Sequence, residues 1–269
     1  MTALDHSLPL RAQLALSPLG AALALCVVMV PLTLALLLVD TRVLDSEAIW
    51  LKPLKFQLSL GLHAATVLLL TAHLPGMLAQ TRTVRWVNAA LGWTLIYEAL
   101  FIALQAARGV RSHFNSATWF DEIGGTIMAG GAGVLTLAPA VVGVVLIWHL
   151  VRRGSDRLPL HLGMALGLIL SGWLGGQTGG AIGANQGPFV GAALGPFLPL
   201  TGWSLTGGDL RIAHFAGLHA MQALPVGALV ASVILPRHLA VAAVVAGSTG
   251  WAVATLWLLY MAQSGLPPF

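Results

Sequence analysis

The stretch TLIYEALFIALQAARGVRS, from Thr94 to Ser112, carries a narrow polar face on an otherwise apolar segment. Wound as an α-helix at about 100° per residue, it places its polar side chains within roughly 80° of arc. These side chains are Thr94, Glu98, Gln105, Arg108 and Ser112. Because the flanking segments are long and apolar, Glu98 is expected near the middle of a membrane. A carboxylate there costs several kcal/mol unless it is neutral, paired or hydrated.

The composition places the chain among integral membrane proteins. Only 8% of its 269 residues are charged and 57% are hydrophobic, with a mean hydropathy of +0.86. Soluble domains carry about 25% charged residues. The formal net charge of +4 does not indicate a nucleic-acid partner, because the basic residues are scattered over short loops. The single cysteine, Cys26, excludes an intramolecular disulfide and a thiol–disulfide relay.

Apolar segments long enough to cross a membrane, which takes about 20 residues each, recur along the whole chain. They predict an all-α bundle of about seven transmembrane helices, surrounded by lipid, as a single domain over residues 1–269. The predicted spans are 17–39, 53–74, 86–109, 123–150, 159–178, 211–234 and 238–263. Asp121 with Glu122 is predicted to cap the fourth span, and Asp209 the sixth.

The connection before the sixth span, residues 179–210, is long, rich in Gly and Pro, and nearly as apolar as the spans. Irregular backbone at membrane depth must be covered by protein or water. The sequence leaves three forms open for this connection: a re-entrant segment, a lid over the outer face, or an apolar loop at the headgroups.

Lysine and arginine in the loops give a weak signal for orientation. One side collects Arg11, Arg82, Arg85, Arg152, Arg153, Arg157 and Arg237, and the other Arg42, Lys52, Lys55, Arg108, Arg111 and Arg211. Most cations of the second group lie at the ends of helices that carry candidate functional residues. The N-terminus is therefore predicted to be cytoplasmic, in a bacterial-type inner membrane or plasma membrane.

Two further spans carry polar stripes like that of Glu98. They are Lys52, Lys55, Ser59, His63 and Thr66 in the second span, and Arg211, His214, His219 and Gln222 in the sixth. At about 1.5 Å per residue, His63, Glu98 and His219 reach a similar depth, roughly 12–16 Å below the outer surface. This agreement predicts that the second, third and sixth spans surround one buried site that opens to the non-cytoplasmic side.

Redox chemistry fits such a site in two ways. A b-type haem needs axial imidazoles, offered by His63 and His219, and cations for its propionates. The cations available are Lys52, Lys55, Arg108, Arg111 and Arg211, and His113, His214 and Gln222 complete the predicted cofactor site. A haem protein would exchange electrons with a quinone or another redox protein. Alternatively, His63, Glu98 and His219 would bind a non-haem metal ion, which accounts better for Glu98.

A proton-linked transporter of a small solute is the leading alternative. Glu98 and the histidines would carry protons, and the outer cations would attract an anion. A structural or assembly role ranks third. Retinal is excluded, because the only lysines, Lys52 and Lys55, begin the second span and the last span has none. A serine hydrolase is unsupported, because no G-x-S-x-G motif is present.

Overall fold

The computed structural model describes residues 9–45, 47–191 and 195–268, in which the chain is mostly α-helical. The helices are α1 (Leu10–Ala15), α2 (Pro18–Val39), α3 (Leu51–Ala72), α4 (Arg82–Arg108), α5 (Trp119–Arg153), α6 (Leu158–Ala184), α7 (Leu210–Leu218), α8 (Ala220–Ile234) and α9 (Arg237–Gln263). The short antiparallel ribbons pair β1 (Val43–Leu44) with β2 (Glu47–Ala48), and β3 (Phe189–Val190) with β4 (Gly208–Asp209). The chain divides into two compact units, Met1–Leu135 and Thr136–Phe269, with the boundary inside α5.

The all-α prediction is confirmed for the described residues. Six of the described helices, α2 to α6 and α9, are long and apolar enough to cross a membrane. α7 and α8 pass the same test together, as a pair bent by 47°. These helices indicate a multi-pass integral membrane protein, and each predicted segment overlaps one helix or the bent pair, with ends that differ by up to six residues.

The sixth predicted segment, 211–234, is a broken helix and not a continuous one. α7 ends at Leu218, α8 begins at Ala220, and His219 lies between them. Pro225 lies inside α8 and has no N–H to donate to the carbonyl of Met221. The helix is therefore weakened one to two turns beyond the break, which favours a bend in this segment.

In the first unit α2, α3 and α4 pack against one another. α4 comes close to the start of α2 at Gly92, where a Cβ would come within 2.3–2.6 Å of backbone atoms of Pro18 and Leu19. Only glycine lets α4 approach the start of α2 so closely. The same end of α2 is fixed by Ser17, whose hydroxyl accepts a hydrogen bond from the N–H of Gly20 at 3.2 Å.

The first half of α5 lies along α4. Tyr97 donates a hydrogen bond to the carbonyl of Gly124 at 3.1 Å, and the ring of Phe101 fills the space beside that glycine. The buried apolar cluster at this interface is Phe101, Ile102 and Met128, with Phe56 of α3 packed against it. These contacts fix the register of α5 along the face of α4 that carries Glu98.

In the second unit α6 packs against α7, α8 and α9. Glycines of α6 bring the helices together. A Cβ at Gly163 would lie 2.4 Å from Cβ of Ala228 on α8, and one at Gly172 would lie 2.8 Å from the carbonyl oxygen of Thr136 on α5. Because such distances leave no room for a side chain, glycine at these positions allows α6 to pack closely against α8 and α5.

The connection before α7 is shorter than predicted and contains a hairpin. α6 continues to Ala184, so the first residues of the predicted connection are helical. Beyond α6, β3 pairs with β4, and Phe197 pairs with Ser204; residues 192–194 lie outside the described residues. Gly208 lies against the end of α9, where a Cβ would meet the carbonyl oxygen of Ala262 at 2.0 Å. The strands β3 and β4 are therefore packed on α9.

Candidate functional site

Glu98 is buried on α4, and its carboxyl forms no hydrogen bond with the described residues. The residue is only 4% exposed, and its buried Oε1 receives no hydrogen bond or ion pair from the described residues. Opposite it, α5 presents Gly131, where a Cβ would lie 2.9 Å from Oε1 of Glu98 and 3.0 Å from Cγ2 of Thr94. Because Gly131 has no side chain, the carboxyl of Glu98 can occupy this volume. An unpaired carboxylate is strongly disfavoured in such surroundings, so the site accommodates the neutral acid.

A hydrogen-bonded network closes the end of α4, two turns from Glu98. The buried carboxylate of Asp121 accepts hydrogen bonds from Arg108 at 2.5 Å and from Gln105 at 2.7 Å. Its other oxygen accepts from the hydroxyl of Thr118 at 2.6 Å. Arg108 also donates to the side-chain oxygen of Gln105. Gln105 and Arg108 of the predicted polar face are therefore held in one cluster with Asp121 and Thr118, from which Glu98 is separate.

The cap of α5 differs from the predicted one. The hydroxyl of Thr118 accepts the N–H of Asp121 at 3.2 Å, which makes Thr118 the capping residue. Asp121 and Glu122 lie instead in the first turn, where acids still interact favourably with the helix dipole. The cap of α7 is as predicted, since Asp209 accepts the N–H of Arg211 at 3.0 Å.

The cations predicted to hold an anion are mostly bound to acids. The ion pairs are Lys55–Glu47 at 2.9 Å, Arg108–Asp121 at 2.5 Å, Arg111–Asp45 at 2.5 Å and Arg211–Asp209 at 2.6 Å. Within the described ranges Lys52 alone of the predicted set has no ion pair. A haem propionate or an anionic solute at these cations would therefore have to displace carboxylates that are already in place.

His113 follows α4 and packs against the start of α3. Its ring centroid lies 5.3 Å from that of Phe56, and its Nδ1 lies 2.9 Å from the hydroxyl of Ser112. Burial disfavours the charged imidazole and lowers the pKa of His113 to about 3, with a smaller contribution from the charge of Lys52. His113 is therefore a neutral side chain at physiological pH.

We expect His113 to make the fold sensitive to mild acid. The unfolded chain protonates this ring near its ordinary pKa of 6.5, whereas the folded protein resists protonation down to a pKa of about 3. The free energy of unfolding should therefore fall as the pH drops below about 6.5, by at most ~1.4 kcal/mol per pH unit. Thermal unfolding in detergent measures this slope, which His113→Asn should flatten and which replacement of the exposed His238 by Asn should not. An unchanged slope in His113→Asn would contradict the assignment.

The predicted site of His63, Glu98 and His219 draws on both units. His63 on α3 is half-buried, and Glu98 lies on the neighbouring α4, both in the first unit; His219 belongs to the second. In the part of the chain that the structure describes, no group of three or more His, Cys, Asp or Glu side chains is arranged to hold a metal ion. The shared haem or metal centre stays a prediction.

In the second unit the remaining predicted ligands lie on either side of the helix break. His214 on α7 meets α6, with its Nδ1 3.0 Å from the hydroxyl oxygen of Thr178. His219 lies at the break, with its ring centroid 4.0 Å from that of Phe215, and its ring interacts with the side chain of Gln222. His219 and Gln222 are thus brought together, whereas His214 has a separate partner on α6.

Gln57 is a buried polar residue that the sequence reasoning misses. It is 1% exposed, and neither polar atom of its side chain has a hydrogen-bond partner among the described residues. It shares the most buried face of α3 with Leu60 and Ala64, about 140° around the helix from Lys52. The polar stripe that begins at Lys52 is less buried, and its Ser59 is exposed. An amide on the apolar side of the helix is the signal that would have identified Gln57.

No family model, curated protein or solved structure matches this chain. Within the first unit, the buried carboxyl of Glu98 is a titratable group that forms no hydrogen bond with the described residues.

Proposed function

We propose that the chain is a proton-linked membrane transporter of a small solute, with Glu98 as the proton-binding residue. The supporting observation is the buried carboxyl of Glu98, which faces Gly131 and has no polar partner among the described residues. Carboxyls inside candidate membrane spans are by default functional groups. Because no ion pair or hydrogen bond must break when the proton leaves or returns, the protonation state of Glu98 is coupled to solvation rather than to local structure.

The hydrogen-bonded network at the end of α4 also supports this proposal, by contrast with Glu98. Asp121 is charged and fully engaged with Arg108 and Gln105, so it is the structural carboxylate of this interface. Two acids on facing helices thus have different surroundings, which is how proteins divide roles between chemically similar groups. Asp121 holds the helices together, and Glu98 carries the proton.

Haem or metal binding through His63 and His219 is the competing proposal, with a quinone or another redox protein as electron partner. It needs cations for the propionates, and the ion pairs of Lys55, Arg108 and Arg211 weigh against it. The same ion pairs weigh against an anionic solute. The proposal keeps the N-terminus in the cytoplasm and the site open to the non-cytoplasmic side.

Proton entry into liposomes tests the proposed function. The purified protein is reconstituted with a pH-sensitive dye trapped inside, and a potassium diffusion potential makes the interior negative. Wild-type protein should admit protons faster than protein-free liposomes do. Glu98→Gln should return the rate to the protein-free level, because the amide cannot release a proton. Glu122→Gln, at an exposed acid in the first turn of α5, is the matched control and should leave the rate unchanged.

Two results would contradict the proposal. Proton entry that survives Glu98→Gln would remove Glu98 as the carrier. A Soret band in the purified protein that is lost in both His63→Ala and His219→Ala would establish the competing haem proposal instead.

A further inference from the structure

Thr178 of α6 and His214 of α7 form a polar contact inside the second unit. Thr178 is completely buried, and its hydroxyl oxygen lies 3.0 Å from Nδ1 of His214. The neighbouring Gly179 makes room for the ring, since a Cβ there would lie 3.1 Å from Cε1 of His214. α6 therefore determines both the position and the orientation of the imidazole.

The donor and the acceptor in this contact follow from the number of protons available. The hydroxyl of Thr178 lies 2.7 Å from the carbonyl oxygen of Leu174 and 3.4 Å from that of Gly175. Carbonyl oxygens only accept, so the single hydroxyl proton is directed at Leu174. The hydroxyl oxygen must then accept from His214, which places the ring proton on Nδ1. Since a neutral imidazole has one N–H, Nε2 carries a lone pair.

The surroundings of His214 favour the neutral ring. No Asp or Glu lies on α6, α7, α8 or α9. The one cation of α7, Arg211, is bound by Asp209 at 2.6 Å. The other titratable side chains of these helices and of the break are His161, His219, Arg237, His238 and Tyr260. With no carboxylate on the packed helices to stabilise an imidazolium, a buried charge at His214 is disfavoured.

We infer that Thr178 is a positioning residue that fixes His214 as its Nδ1–H tautomer, so that Nε2 is the acceptor for a solute that bears N–H groups, of the small-amine class. The carbonyl of Gly175 accepts from the ring of His214, and the described residues donate no hydrogen bond to Nε2. A lone pair repels an anion and binds an N–H donor, and Arg211 offers an anion no free charge on this helix. This inference names the solute class and rests on the proposed function for that purpose, whereas the tautomer assignment stands independently.

The experiment is nitrogen-15 NMR on lipid-embedded, full-length protein with histidine ring nitrogens labelled, His214 being assigned by its loss in His214→Asn. The two ring nitrogens differ clearly in chemical shift when one is protonated and the other is not. In the wild type, Nδ1 should be the protonated nitrogen. Methylammonium should shift the Nε2 signal, whereas tetramethylammonium, a cation without N–H, should not. Thr178→Val removes the acceptor and should move a large share of the proton to Nε2, and Thr178→Ser should restore the wild-type spectrum.

Each contrary result overturns a defined part of the inference. A proton on Nε2 in the wild type, or an unchanged tautomer in Thr178→Val, would refute Thr178 as the positioning residue. Equal responses to methylammonium and tetramethylammonium, or none to either, would refute the amine class. The wild-type spectrum decides the tautomer even where Thr178→Val does not fold. Failure of the proposed function would be seen in a different experiment, as a rate of proton entry that Glu98→Gln leaves unchanged.

Discussion

Replacing Glu98 by Gln should erase a protonated-carboxyl band from the infrared spectrum of the lipid-embedded protein near neutral pH. Glu98 is 4% exposed and has no hydrogen-bond donor among the described residues, so the neutral acid is the favoured form. Hydrogen bonds lower the carbonyl stretching frequency of an acid, so this band should lie at the high end of the carboxyl range. Its loss should be complete in Glu98→Gln, and the exposed Glu122→Gln should retain it.

The amide of Glu98→Gln has nearly the shape of the neutral acid, so the fold should be kept. Thermal unfolding in detergent provides that control. If the wild-type protein shows no such band, Glu98 is ionised in the membrane and is not the proton carrier. A band that persists in Glu98→Gln belongs to another carboxyl and leads to the same conclusion.

Replacing Asp209 by Ala should cause the largest loss of stability in the second unit. Its buried carboxylate accepts hydrogen bonds from the N–H of Ser204 at 2.9 Å and from the guanidinium of Arg211 at 2.6 and 2.9 Å. Breaking a buried ion pair costs about 3–5 kcal/mol. Water reduces that figure here, because the side chain of Arg211 is 29% exposed. The free energy of unfolding in detergent measures the loss.

The matched control is Asp45→Ala, which breaks the ion pair between Asp45 and Arg111. Both partners of that pair are more than half exposed, so the cost should stay below about 1 kcal/mol. Equal losses in the two variants would show that Asp209 does not organise the connection before α7.

The long apolar helices could be predicted because a bilayer requires a minimum length of apolar sequence in each helix that crosses it, whatever its neighbours are. The bend at His219 could not be predicted in this way. Pro31 lies inside α2, Pro139 inside α5 and Pro225 inside α8, and all three helices continue past the proline, whereas the break lies at His219, before α8 begins. A proline shows where a helix is weak, but tertiary contacts decide whether it bends there.

The burial of Glu98 follows from its place in an apolar helix, and the sequence predicts it. The partners of the cations do not follow from any single helix. Arg108 is paired with an acid 13 residues away and Arg111 with one 66 residues away, across loops whose geometry the helical wheel does not contain. A wheel shows which side chains share a face, and it cannot show that an acid from another segment already occupies that face.

The pairing of Glu98 with Gly131 has a consequence for how this protein can vary in evolution. The carboxyl and a side chain at position 131 compete for the same volume, because a Cβ there would lie 2.9 Å from Oε1. In related chains that keep an acid on this face of α4, positions 98 and 131 should therefore change together. Glu should accompany Gly, and the shorter Asp should accompany Ala. A bulky residue at position 131 beside Glu98 should be rare, since it would force the carboxyl out of its place.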